Sequence, residues 1–199
     1  RLCEEEGIHY HFQHTSSGHK LTFGDDQTVF PKLAPVAYQQ DSGLVADKPV
    51  VKRFGLRLAT RTSRTTRRDY DFVKPKIELE SDAKSSAQPD LEDYDYPGRF
   101  VDRERGKHLA NRNLERHRSD YRLAEGNSDQ PILVTGHFLA LTDHANPTWN
   151  DLWLLTEIFH EGKQPQVLEE SVTSDTTDNK DDFHQGYRNR FNAIPWDVP

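Results

Sequence analysis

The sequence predicts a mainly β fold with one long helix, of the α+β class. Apolar and polar residues alternate at Ile8, Tyr10 and Phe12 and again at Phe54, Leu56 and Leu58, which is the period of a half-buried strand. Only the stretch from Asp102 to about Arg118 sets its apolar residues, Leu109, Ala110 and Leu114, along a helical stripe. Elsewhere, Pro, Gly, Asn and Asp break the chain into short segments.

Taken in order, Arg1 to Glu6 reads as the last turn of a helix stopped by Gly7. Ile8 to Phe23 reads as a hairpin with one buried face, turned at Thr15 to Gly18. Gly24 to Pro49 is expected to be mostly ordered loop. Val50 to Thr60 predicts a strand with Phe54, Leu56 and Leu58 on one face and Arg53 and Arg57 on the other, the alternation continuing to Arg61. Asp69 to Val73 and Lys76 to Glu80 are expected to be two further short strands divided by Pro75. Ser81 to Asp95, rich in Ser, Asp and Glu, reads as a boundary. Beyond the helix, strands are expected at 119–124, 132–134, 136–141 and 152–160, with a turn around Asn146-Pro147 and Asn150-Asp151. Gln164 to Asp182 is polar and acidic and predicts a mobile loop. The expected organisation is a β-rich part over 1–80, a linker over 81–95 and a second lobe over 96–199. No starting Met is present and the chain closes on Pro195 to Pro199, so it reads as a segment cut from a longer protein.

Composition narrows the function classes. With 33 acidic and 26 basic residues the net charge is -7, the wrong balance for a protein that must displace counterions from phosphate, and no nucleic-acid partner is expected. No run of about 18 apolar residues exists to span a membrane, and no stable membrane insertion is expected. Cys3 is the only cysteine, which excludes an intrachain disulfide framework. At 33% hydrophobic residues, two modest lobes, or a core completed by other subunits, fit better than one large core.

Ten histidines raise the question of a metal. In a strand His9 and His11 share a face and His14 falls on the other, and His19 across the hairpin is a conceivable third ligand. Metal-specific spacings such as HExxH and CxxC are missing, and histidine also serves on a wet strand face. His9, His11 and His19 are therefore weak candidates, and no metal or cofactor is expected. Asp25-Asp26, Asp143-His144 and His160-Glu161 read as turns or solvated edges. The basic run Arg61 to Arg68 reads as a solvated strand extension or a set of partners for acidic neighbours. No GxSxG elbow and no phosphate-cradling glycine loop occurs, so no catalytic residue is assigned. Leu152 to Leu155 shows no alternation, which predicts a strand covered on both faces. Trp153, Leu155 and Phe159 on that strand, with Phe191 and Trp196 in the aromatic tail, are the candidates for an assembly or domain seam.

Four segments together carry a resemblance. The opening Arg1 to Phe12, Tyr94 to Gly98 before the helix, Gly136 to His144 with Asn150 to His160, and Tyr187 to Pro199 resemble, in this order, the VgrG spike proteins of type VI secretion and their relatives in bacteriophage tail hubs. The resemblance is weakest over Gly24 to Pro49 and Gln164 to Asp182. It departs from the family at Cys3 and at His9 and His11, where aliphatic or aromatic residues are common. It implies barrel-like β domains of the tail-hub type, a homotrimer, a tube-forming Hcp ring as partner, and needle-tip and effector proteins reached through other regions. It also implies a bacterial cytoplasmic location before firing and secretion or delivery into a target cell afterwards. The hub has no catalytic residues to carry over. The rival readings are a metal-dependent hydrolase built on His9, His11 and His19, which metal analysis separates, and a stand-alone carbohydrate- or peptide-binding β module, which needs aromatics exposed in a groove.

Overall fold

A computed structural model describes residues 2–40, 48–164 and 186–198. The chain forms two compact units that interleave in sequence: 1–31 with 57–123 and 194–199, and 32–56 with 124–193. This division differs from the expected lobes over 1–80 and 96–199 because the chain passes between the units more than once.

In the first unit, helix α1 (Leu2–Glu6) ends at Gly7, whose φ of +72° suits glycine. The chain then enters a hairpin of β1 (His9–Thr15) and β2 (Gly18–Gly24), with Tyr10 opposite Phe23 and Phe12 opposite Leu21. A 3-10 turn over Gln27–Val29 follows, capped by Asp26.

The basic run builds β5 (Arg64–Asp69), the centre of a three-stranded sheet. It pairs antiparallel with β6 (Leu79–Lys84) and parallel with β7 (Glu92–Asp95). Two expectations are corrected here. Residues 81–95 are not a linker: Leu79, Ser81 and Ala83 alternate as buried positions along β6, and the small side chains of Ser81 and Ala83 leave room for a helix above. Nor is Asp69 to Val73 a separate strand, because β5 ends at Asp69 and the Asp71 carboxylate accepts from the N–H groups of Val73 and Lys74 in a turn. β6 accordingly begins at Leu79 and not at Lys76.

Helix α2 (Arg103–Arg118) starts where the Asp102 side chain accepts from the N–H of Arg105. It lies close on the sheet. A Cβ added at Gly106 would stand 2.5 Å from Ser81 Oγ and 2.6 Å from the Phe100 ring. Leu79, Phe100 and Leu109 form the small core beneath it, and buried Thr65 donates its hydroxyl to the carbonyl of Ala110 at 2.7 Å.

The second unit is organised by one six-stranded sheet. It comprises β3 (Val36–Ala37), β4 (Val51–Leu58), β8 (Arg122–Ser128), β9 (Phe138–Thr142), β10 (Leu152–Lys163) and β11 (Gly186–Pro195), in the order β3-β9-β10-β11-β8-β4. A bridge between Tyr38 and Val51 brings the segment after β3 to β4, so the two ends of the order meet and the sheet curls on itself. Val51, Phe54, Ala124, Leu133, Leu139, Leu141, Trp153, Leu155, Phe191 and Ala193 pack inside. The expected strand at 132–134 is absent, although Leu133 is buried. At Gly126, opposite Phe191 in the ladder, a Cβ would lie 2.2 Å from the ring; the glycine is what lets the aromatic lie flat on its neighbour. Apart from Gln164, the loop expected over 164–182 lies outside the described residues.

Candidate assembly surfaces

The five seam candidates separate. Trp153, Leu155 and Phe191 are 1%, 0% and 3% exposed inside the curled sheet. They are core of this chain: Trp153 and Leu155 share one face of their strand, and the cover on that face comes from its own sheet. The Trp153 ring meets Phe54 edge to face, centroids 4.9 Å apart, and its indole N–H donates to the carbonyl of Trp149 at 2.9 Å. Phe159 and Trp196 are exposed. The Arg190 guanidinium lies 4.8 Å above the Phe159 ring.

The histidine candidates separate as well. His14 and His19 are opposite each other in the hairpin, with Nδ1 atoms 2.7 Å apart at an exposed position. His9 and His11 lie on the other face, against Phe30 with ring centroids 4.5 and 5.1 Å away. His19 therefore does not join His9 and His11, and the proposed ligand set is divided between two faces. Among the described residues no group of three or more His, Cys, Asp or Glu side chains is placed to hold a metal ion. Burial, helped by the neighbouring charge of His11, holds the His9 imidazole below its ordinary range, against a smaller opposing pull from Asp25 and Asp26.

This inward turn of the histidines reverses the expected hairpin. Tyr10, Phe12, Leu21 and Phe23 are 62%, 47%, 43% and 57% exposed, whereas His11 is buried. Alternation correctly gave two faces, but Phe30 covers the polar-looking one. A second apolar group, Tyr70, Phe72, Val73 and Ile77, is exposed on the turn between β5 and β6. There Tyr70 and Ile77 line an open groove with Tyr94 and Tyr96. Neither group stood out in the sequence as a surface.

Ion pairs organise the rest of this unit. Arg61 forks onto Asp120 with contacts of 2.7 and 2.6 Å, and the pairing holds Asp120 below its ordinary range. Arg64 approaches Asp90 and Glu92, Arg67 approaches Asp95, and Arg68 approaches Glu78 and Glu80. The basic run thus meets acidic neighbours, as its charge pattern suggested. Arg105 hydrogen-bonds Glu6 and, with His108 nearby, lowers that carboxyl to about 2. Asp93 accepts from Asn113 at 2.7 Å and contacts His117 at 3.1 Å; burial pushes its pKa up, but these partners hold it below the ordinary value.

A curled sheet and a helix-backed second sheet give this mainly β chain the fold of the tail-hub class. The chain belongs to the phage tail baseplate hub (GPD) family, whose model matches residues 1–166. Among its relatives is the type VI secretion system spike protein VgrG4b of Pseudomonas aeruginosa, 68% identical over 100% of this chain and 25% of that protein. VgrG5 of the same organism is 64% identical over 98% of this chain and 25% of its own length. The chain thus spans about a quarter of these curated relatives. Vibrio cholerae provides an actin cross-linking toxin, VgrG1, at 30% identity over 98% of this chain and 18% of the toxin.

Solved structures share the fold at low sequence identity. The prophage MuSo2 43 kDa tail protein from Shewanella oneidensis aligns over 100% of this chain and 53% of its own, with a TM-score of 0.62 and 12% identity. The E. coli c3393 protein, a component of the type VI secretion system similar to the T4 tail proteins gp27 and gp5, aligns over 98% and 35% with a TM-score of 0.55 and 14% identity.

Proposed function

We propose that this chain is the hub segment of a type VI secretion spike and acts mechanically, without catalysis of its own. The observation that carries this reading is the 68% identity to a spike protein across the whole segment, joined to a hub-family match over 1–166. As a homotrimer, the hub connects a tube of stacked Hcp rings to a needle, while needle-tip and effector proteins engage other regions of the full-length protein. It resides in the bacterial cytoplasm before firing and is then secreted or delivered into a target cell.

The test is an in-frame deletion of this segment from the full-length protein in a bacterium with an active system. Secretion of the tube protein and trimer formation, followed by sedimentation, should both be lost, and the intact gene should restore them. Retained secretion and trimerisation without the segment would refute the proposal.

A further inference from the structure

The hairpin of β1 and β2 stands as a two-stranded sheet of its own, and a lone hairpin is marginal in water. At its turn the Thr15 hydroxyl donates to the Gly18 carbonyl and meets Ser17 Oγ. The next rung sets His14 opposite His19. Both are exposed, their Nδ1 atoms stand 2.7 Å apart, and the rings meet edge to face with centroids 4.7 Å apart. The Phe12 ring lies 15° from parallel to the His14 imidazole, which favours this orientation of it.

Two neutral imidazoles with facing Nδ1 atoms share one proton between them, and a cation that takes the proton's place gains two ligands at once. The ring that carried the proton then adopts its other neutral tautomer, with the proton on Nε2. The spacing selects the ion. With imidazole–metal bonds of about 2.0 Å, two nitrogens at a right angle stand about 2.8 Å apart, whereas a tetrahedral angle needs about 3.3 Å. The observed 2.7 Å meets the first, the bite of a square-planar ion, and falls short of the second. Square-planar coordination by nitrogen and oxygen belongs to divalent copper and nickel, and copper binds more tightly of the two. Zinc, which closes its retained sites with four ligands in a tetrahedron, is disfavoured here. His9 and His11 are no rival, because they pack on the other face against Phe30 and His11 is buried.

We infer that His14 and His19 form a two-imidazole chelate for divalent copper at the turn end of the hairpin, with water in the remaining positions. Bound there, the ion ties the two strands together across the turn, since energy gained by binding to the ordered pair also favours the folded hairpin. With two protein ligands it exchanges with the buffer, and a chelator removes it. The site stands or falls apart from the hub reading.

The test is a copper titration of the full-length spike without an affinity tag, with glycine as competitor, followed by electron paramagnetic resonance. Superhyperfine structure from two imidazole nitrogens should appear with the first copper bound. His14→Ala and His19→Ala should each weaken binding at least about tenfold, because a single imidazole loses the effective concentration that a linked second ligand supplies; His137→Ala should leave it unchanged. Zinc should need at least about a tenfold excess to displace the copper. In the unmutated spike, copper should shield His14 and His19 from carbethoxylation by diethyl pyrocarbonate, read by mass spectrometry, a result that depends on no variant's folding. Copper held equally by the wild type and both variants, loss in one variant alone, or unshielded histidines would each overturn the inference. Zinc bound as tightly as copper would overturn it as well, by removing the square-planar assignment.

Discussion

Replacing Trp153 with Ala deletes the largest fully buried side chain of the curled sheet. Truncating a buried Trp costs about 3–5 kcal/mol, the spread reflecting how far the neighbours collapse into the space. Collapse should be limited, because Phe54 is still held by Trp149 and Phe191. The lost indole hydrogen bond adds little, since the Trp149 carbonyl still accepts from the N–H of Asp151 at 2.9 Å. At about 2–4 °C per kcal/mol for a chain of this size, the melting midpoint should fall by about 6–20 °C in calorimetry. Trp153→Asp adds an unpaired buried carboxylate worth several kcal/mol and should prevent folding. The control is Phe159→Ala, which loses an exposed ring and a cation–π contact worth about 0.5–1 kcal/mol. If Phe159→Ala destabilised the protein as much as Trp153→Ala, the assignment of one to the core and the other to the surface would be refuted.

Gly126→Ala should cost about 1–3 kcal/mol by overpacking, because its Cβ meets the Phe191 ring; a Phe191→Leu background should recover part of the loss in a denaturant titration. Thr65→Val should cost about 0.5–1.5 kcal/mol by removing the buried hydroxyl's bond to the Ala110 carbonyl, which keeps its donor within helix α2, measured the same way. Acid should loosen the first unit in two stages. His9 is held below 6.5 when folded, so its contribution is complete above 6.5 and is lost as pH falls through the lowered value; Glu6 contributes above 4.5 and loses that contribution as pH falls toward about 2. Amide protection across 2–24, taken relative to the intrinsic exchange rate at each pH, should therefore fall on acidification, with His9→Asn removing the first stage and Glu6→Gln the second. Purified protein should carry no stoichiometric zinc, since the candidate histidines lie on two faces; about one metal per chain, lost in a His14→Ala and His19→Ala variant, would refute this.

Local periodicity made several elements legible: the hairpin, β4, β10, the Gly7 stop and helix α2. These depend on neighbours within a few residues. The β5-β6-β7 sheet was hidden because Ser81 and Ala83, buried for their small size under a helix, look in sequence like turn and linker residues. The candidate surface was less legible than the fold. Trp153, Leu155 and Phe191 revealed that they must be covered, but cover by a distant strand of the same chain and cover by a second chain leave the same mark on a sequence. The hairpin inverted because Phe30 supplies an aromatic surface on which imidazoles stack, a contact that strand alternation does not encode.

The bridge of Tyr38 to Val51 has a consequence for how such a module tolerates crowding. An open sheet ends in rows of unpaired N–H and C=O groups, on which any passing strand can add, and copies concentrated at one place would polymerise edge to edge. Where the ends of the β3 to β4 order meet, that template is blocked. Recognition at that joint then comes from side chains, which are specific to a partner, and not from backbone, which every chain shares.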